Sequence, residues 1–459
     1  MGLFSKNNND DDDSEEEIEY VLFQGATSGK EANLEENQKL AAAGLPLAKE
    51  VVTDALALRA EMFKVEPQGP KALVTFFVDG MKRPGPRLPI QKANALVQIL
   101  KLLGGGDIKV RDKPQRCGLK AEYRDLPFEL TIKTRPAPPA KGPKAPPAEQ
   151  LTVVFRNTKT KRVVPEDIGM PEVVKSKVRH YGKSNSGIVL IVGPPESGLT
   201  TTALCALRCV DSYMYQCYII GDLGTRTVLN VPVFEQEEGH TLEHTFLRIQ
   251  RNEGNLVYMA ELTDPAVVKD VIQGSTEMTF MSEMYARDAA DGITKFVELV
   301  GNPALAAEQL RMVVSHKLIR KLCPKCKEAF RPNPKLLAQV GLPEETETLY
   351  RKARPPEPDE KTGELPEPCR ACDGAGFRAR AAVFEMIDVT EGMKAVIAGG
   401  GDSAAIRKQA KEEKQLNFQK DALRLVLDGS TGLDELQRTF APPGGPRRKK
   451  KPARRRPPE

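Results

Sequence analysis

The sequence predicts an α/β protein. A small N-terminal α/β domain comes first, then a larger one on a mostly parallel sheet, a cysteine-bearing unit and C-terminal helices. Three observations predict this. A strand, a glycine-rich loop and a helix follow one another between residues 187 and 213. Strands and helices alternate after that, the pattern of a parallel sheet. Two Cys-x-x-Cys pairs stand at Cys323/Cys326 and Cys369/Cys372.

Each part can be read in order. Residues 36–64 read as a helix broken near Gly44 to Pro46, with Ala48, Val52 and Leu56 recurring every four positions and Met62 following. Residues 72–78 read as a strand, Asp79-Gly80 as a hairpin turn, and residues 90–103 as a helix stopped by three glycines. Strands are expected at 119–123, 128–133 and 151–155. The Pro/Ala/Lys-rich stretch 135–149 between the last two reads as an exposed insertion or linker. Residues 164–169 connect to a helix at 171–181. The larger domain opens with strand 187–192 and helix 201–213, followed by strands 217–220, 256–259 and 280–284. Residues 390–440 read as helical with a break at Gly399 to Gly401, and Phe418, Ala422 and Leu425 share one face.

Composition bounds the function classes. With 40% apolar and 29% charged residues, the chain reads as a globular protein, and no stretch reaches the roughly 18 apolar residues of a membrane span. The start has no signal-peptide core. Gly2 is not followed by the Ser or Thr that a myristoylation motif wants at position 6, which is Lys6. A cytoplasmic protein is expected. The net charge of +5 hides an acidic block at residues 10–19 and a basic one at residues 447–456. Both read as solvated tails; the alternative for the basic one is a contact with nucleic acid or anionic lipid. The absence of Trp and an aromatic content of 5% argue against base stacking.

The loop Gly193-x-x-x-x-Gly198-x-Thr200 has the spacing of a phosphate-binding loop. Such a loop aims backbone N–H groups and a helix N-terminus at phosphates, a lysine reaches the β- and γ-phosphates, and the next hydroxyl holds Mg²⁺. Here Gly193, Ser197, Gly198, Thr200 and Thr201 are in place, but Leu199 stands where the lysine belongs and Glu196 adds negative charge. ATP and Mg²⁺ are therefore doubtful ligands. The segment reads either as a retained tight turn or as a weakened nucleotide site.

The two Cys-x-x-Cys pairs can bring four thiolates together, and a structural Zn²⁺ site is expected at Cys323, Cys326, Cys369 and Cys372. Redox pairs or unrelated thiols are the alternatives. The 42 residues between the pairs add little closure entropy. Cys117, Cys205, Cys209 and Cys217 read as buried or semi-buried free thiols. Of the four histidines, His240 and His244 share helical spacing and read as a surface pair.

Over roughly residues 55–440 the chain resembles the type II secretion and type IV pilus assembly ATPases. The resemblance is carried by residues 59–67 (an opening signature), Val78-Asp79-Gly80, Ile168-Gly169-Met170, Glu261-Leu262-Thr263-Asp264 and the stretch 318–326. It continues in 376–380 and 383–385 after the second cysteine pair. It implies a RecA-like P-loop domain in a cytoplasmic hexameric motor, homo- or hetero-hexameric, that passes motion to an inner-membrane platform protein of a secretion or pilus system. It implies Glu261 as general base, Thr200 as the Mg²⁺ hydroxyl, Asp222 as the surviving residue of the aspartate box, and Arg251 as an arginine ahead of the Walker B strand. The chain departs from the pattern at Leu199, at Gly221-Asp222-Leu223, where a glutamate is lost, at Ala260, and at Tyr285 in the place of the histidine of the histidine box. Arginines of the N-terminal domain are replaced near Leu119 and Thr131. These losses fall on parts that serve one reaction, phosphoryl transfer.

The expected organisation is an acidic tail (1–35), an N-terminal α/β domain (36–160), a RecA-like domain (161–322), a tetracysteine unit (323–385), C-terminal helices (386–441) and a basic tail (442–459). The expected function is a structural or regulatory subunit of a secretion or pilus system with weak or no ATP hydrolysis, peripheral to the inner membrane through partners. The alternatives are an active ATPase with an atypical loop, using Lys183 or Lys325 as a substitute cation, and a nucleic-acid or membrane-surface binder.

Overall fold

A computed structural model describes residues 19–137, 148–160, 164–221, 223–224, 226–354, 358 and 365–440. Most of the acidic block, the basic tail and Asp222 lie outside the described residues. The chain divides into two compact units, residues 1–161 and 162–459.

In the first unit the chain runs β1 (Leu22–Ala26), α1 (Gln38–Ala57), β2 (Met62–Gln68), β3 (Lys71–Val78) and β4 (Met81–Pro89). It continues with α2 (Ile90–Leu103), β5 (Gln115–Tyr123), β6 (Leu126–Pro136) and β7 (Glu149–Asn157). The strands form one sheet in the order β1-β5-β6-β7-β2-β3-β4, every neighbouring pair antiparallel. Alternate residues such as Phe63, Val65, Leu130 and Ile132 turn to one face and share a core with Val52 of α1 and Leu96 and Leu100 of α2. The other face of the sheet is left uncovered by these helices. Asp79 and Gly80 both have positive φ (50° and 74°), the type I′ geometry that suits a two-residue hairpin.

Three expectations for this unit change. Helix α1 is unbroken through Pro46 and ends at Ala57, and Met62 opens a strand. Gly44 serves packing rather than a break, because a Cβ there would come within 2.8 Å of the Ala95 carbonyl oxygen of α2. The stretch 135–149 is not wholly an exposed linker. Arg135 and Pro136 pair with Gln150 and Glu149, and the Glu149 side chain is buried; residues 138–147 lie outside the described residues.

In the second unit, α3 (Glu172–Gly182) precedes β8 (Ile188–Gly193) and α4 (Leu199–Leu207). Then come β9 (Gln216–Ile220), α5 (Leu242–Arg251), β10 (Gly254–Met259), α6 (Pro265–Gly274), β11 (Thr279–Tyr285), α7 (Ala289–Val300), α8 (Pro303–Gln309) and β12 (Leu310–Leu322). A small excursion holds β13 (Glu328–Phe330), α9 (Pro334–Val340) and β14 (Leu349–Arg351). The chain then returns as β15 (Phe377–Asp388) and closes with α10 (Glu391–Ala398), α11 (Ser403–Glu412), α12 (Phe418–Leu427) and α13 (Leu433–Phe440).

The central sheet has the order β15-β12-β8-β11-β10-β9, parallel except for β15. Along β8, Ile188, Leu190 and Val192 face one core while Val189 and Ile191 face another, so the strand is buried on both sides. The helix after the loop starts at Leu199 and stops at Leu207, shorter than the expected 201–213. Residues 377–385, expected in the cysteine unit, belong to edge strand β15 of the central sheet. Among the described residues no helix is long and apolar enough to cross a membrane.

Candidate functional site

Strand β8 ends at Gly193 and α4 begins at Leu199, with Gly198 at its N-cap. Gly198 (φ 87°) and Glu196 (φ 64°) both take the left-handed region. No side chain caps the helix, so its first N–H groups keep the direction that favours an anion. Gly193 is required by close approach: a Cβ there would lie 2.7 Å from His316 Cε1 and 3.0 Å from Ser197 Oγ.

Several side chains at the loop are engaged with the protein, while the buried Ser197 hydroxyl has no hydrogen-bond partner among the described residues. Leu199 is 6% exposed and packs in the core formed by Met170, Val174, Val189 and Ala203. The Thr200 hydroxyl donates to Glu283 Oε1 at 2.9 Å. Glu283 is itself buried on β11, the strand paired with β8. Burial, and next the Glu283 carboxylate, push the Tyr258 phenol upward, which places this β10 side chain in the field of Glu283. From β12, His316 Nε2 lies 3.1 Å from the Ser197 carbonyl oxygen. Burial lowers the His316 pKa to about 4, and the bond to the Ser197 carbonyl opposes that shift.

The remaining expected residues divide. Tyr285 ends β11 directly opposite Gly193, and Ala286 N–H donates to the Gly193 carbonyl, so Tyr285 stands beside the loop. Glu261 is exposed, two residues past β10, at the same end of the sheet but with β11 between β10 and β8. Thr201 is in the first turn of α4. Arg251 does not join the loop. It closes α5 just before β10 begins, so it lies at the opposite end of the sheet, about 17 Å of strand away. Lys183, which follows α3 just before β8, is at that far end too, and Lys325 lies between two of the cysteines. Leu119 is buried in the core of the first unit.

Sequence reasoning missed Glu283 and His316 as neighbours of the loop. Glu283 had a signal, as the one ionisable residue among the apolar positions of β11 before Tyr285; His316 had a weaker one, because β12 also carries Arg311, Lys317, Arg320 and Lys321.

The cysteines come together. Cys323 Sγ is 4.0 Å from Cys369 Sγ, Cys326 Sγ is 3.6 Å from Cys372 Sγ, and all four sulfurs lie within 4.8 Å of one another. Each pair sits on a tight turn, with Lys327 N–H donating to the Cys323 carbonyl and Cys372 N–H to the Cys369 carbonyl. Gly376 N–H donates to Cys372 Sγ at 3.2 Å. The cluster can hold a metal ion, and among the described residues no other group of this kind occurs. His240 pairs with Glu237 and its ring lies 4.3 Å from that of His244.

Comparison with known proteins bears on the family and the fold. The family model described as "Type II/IV secretion system protein" matches residues 37–438. The chain is 24% identical over 396 residues to the type IV pilus assembly ATPase PilB of Thermus thermophilus, covering 84% of this chain and 42% of that protein. It is 23% identical over 406 residues to the type II secretion system protein E of Dickeya dadantii, covering 85% of this chain and 74% of that one. The ATPase DotB of Legionella pneumophila superposes with a TM-score of 0.50 at 14% identity, covering 86% of this chain and 95% of that structure. Its Yersinia pseudotuberculosis counterpart gives 0.51 at 12% identity, covering 85% and 92%. The structural likeness carries the RecA-like fold. The family match spans most of the chain, and the chain belongs to the type II/IV secretion system protein family.

Proposed function

We propose that the chain is a structural or regulatory subunit of a secretion or pilus-type assembly, with weak or no ATP hydrolysis of its own. The carrying observation is the place of Leu199. The position that supplies a cation to nucleotide phosphates in a phosphate-binding loop is filled by an apolar side chain buried in the core. The Thr200 hydroxyl, which would hold Mg²⁺, is directed to Glu283, and Tyr285 stands where the family has a histidine. A nucleotide triphosphate brings about four negative charges to a loop beside a buried carboxylate with no loop lysine. These residues do not fit ATP with Mg²⁺, and no hydrolytic role is assigned to Glu261.

The cysteine cluster supports the other half of the reading. A tetrahedral zinc–thiolate centre with bonds of about 2.3 Å has sulfur–sulfur edges of about 3.8 Å, between the two close pairs observed here. Zinc at Cys323, Cys326, Cys369 and Cys372 would supply a structural cross-link. A fold kept in repair around an unsuitable nucleotide loop fits a chain used for its surfaces. By family, those surfaces would meet other subunits of a homo- or hetero-hexamer and an inner-membrane platform protein on the cytoplasmic side.

Nucleotide titration of the purified protein, with and without Leu199→Lys, tests this reading. The expected result is no Mg²⁺-dependent hydrolysis in either protein. Tight ATP binding with Mg²⁺-dependent turnover in the unmodified protein would overturn it.

A further inference from the structure

The face of the first unit's sheet turned away from α1 and α2 carries an unbalanced charge. Arg116 and Lys120 on β5, Lys133 and Arg135 on β6, and Lys82 and Arg87 on β4 all turn to it, as the cross-strand pairs show. None of these six forms an ion pair among the described residues. The strands place three carboxylates on the same face, fewer than the cations: Glu66 on β2, Glu122, and Glu129 directly opposite Lys120. Glu129 pairs with Arg156, and Glu122 accepts from Gln24 at 2.6 Å. Arg116 is directly opposite Lys133, an arrangement that destabilises a sheet unless an anion relieves it.

The chain carries such an anion close by. Residues 10–19 hold eight carboxylates, Asp10 to Asp13, Glu15 to Glu17 and Glu19. Residues 10–18 lie outside the described residues, and Glu19 and Tyr20 lead straight into β1, the strand at the edge of this face beside β5. Leu22 pairs with Glu122, and Arg116 is about 20 Å further along β5. Asp10 to Asp13 stand nine to twelve residues before Leu22, enough chain for about 30–40 Å.

We propose that the acidic block at residues 10–19 docks on the basic face of its own sheet, over Arg116, Lys120 and Lys133. Tethering gives the block an effective concentration near the millimolar range at this face, an advantage that separate molecules lack. The block thereby covers the face against other acidic partners, and its removal exposes an anionic-peptide site. This inference is independent of the nucleotide reading.

Zero-length carbodiimide cross-linking of the full chain, mapped by mass spectrometry in a mixture of isotopically heavy and light protein, tests it. The expected products join residues 10–19 to Lys120 or Lys133 within one chain, and they fall at least about fivefold at 0.5 M salt. Products only between heavy and light chains would show a second copy as the occupant. Products only with residues 447–456 would show the basic tail, and no product at all would show no docking; each overturns the proposal. In a second arm, neutralising Asp10 to Asp13 and Glu15 to Glu17 to their amides is expected to tighten binding of a polyglutamate probe by about tenfold. Adding Arg116→Ser and Lys133→Ser is expected to abolish that gain. Equal probe binding with and without the block would overturn the proposal.

Discussion

Thr200 and Glu283 are joined by a hydrogen bond of 2.9 Å that ties the first turn of α4 to β11. A hydroxyl that a nucleotide loop would offer to a metal ion is here part of the protein's internal bonding. Thr200→Val keeps the shape and removes the donor. The expected cost is about 1–3 kcal/mol in chemical denaturation, because a buried carboxylate loses a donor. Thr200→Ser is expected to recover most of it.

His316 gives a pH signature. Its folded pKa, lowered to about 4 by burial, lies below the ordinary histidine value of 6.5. Between these values the unfolded chain binds the proton and the folded chain does not. Its contribution is therefore complete above pH 6.5 and is lost as pH falls toward 4, roughly 3 kcal/mol in all. Denaturation midpoints from pH 7.5 to 4.5 should fall more steeply for the native protein than for His316→Gln. Equal slopes would contradict the assignment.

Lys101 and Glu149 form an ion pair at 2.8 Å, with side chains 0% and 2% exposed. Lys101 also donates to the Val110 carbonyl, and Gln98 donates to Glu149. Removing one charge strands the other, so Glu149→Ala is expected to cost about 3–5 kcal/mol. The double change Lys101→Met with Glu149→Leu should cost much less. A double-mutant cycle by urea denaturation measures the difference.

Metal analysis of protein purified without added metal should give about one zinc per chain, and Cys372→Ser should bring it below about half. Chelation should lower the melting temperature of the native protein and leave that of Cys372→Ser nearly unchanged.

Much of the fold was legible because local chemistry and packing agreed. Helix α2 follows its apolar spacing and its glycine stop, and the Asp79-Gly80 turn follows from residues that tolerate positive φ. Strand β4 was not legible: its prolines, glycine and cations suppress a strand pattern, and it forms only as an edge paired with β3. Pro46 and Gly44 signalled a break that tertiary packing overrode. At the loop, spacing located the turn, yet Glu283 and His316 reach it from strands remote in sequence. The position of Arg251 was legible too: it ends a helix just before a parallel strand, and that order alone puts it at the end of the sheet opposite the loop.

The cysteine cluster has a consequence beyond its own turns. Cys323 follows directly on β12, and Cys372 comes shortly before β15, which pairs with β12 over most of its length. With a metal bound, the cluster would clasp one end of the outermost two-stranded ribbon of the sheet. β15 is also held by its own pairing with β12 and by Phe384 N–H donating to Asp421, so opening the cluster frees only the cysteine end of the ribbon, beside Arg320 and Lys321. Loss of a bound metal is then expected to fray the ribbon from that end while the rest of the sheet stays closed, which hydrogen exchange at residues 318–322 and 377–382 would read.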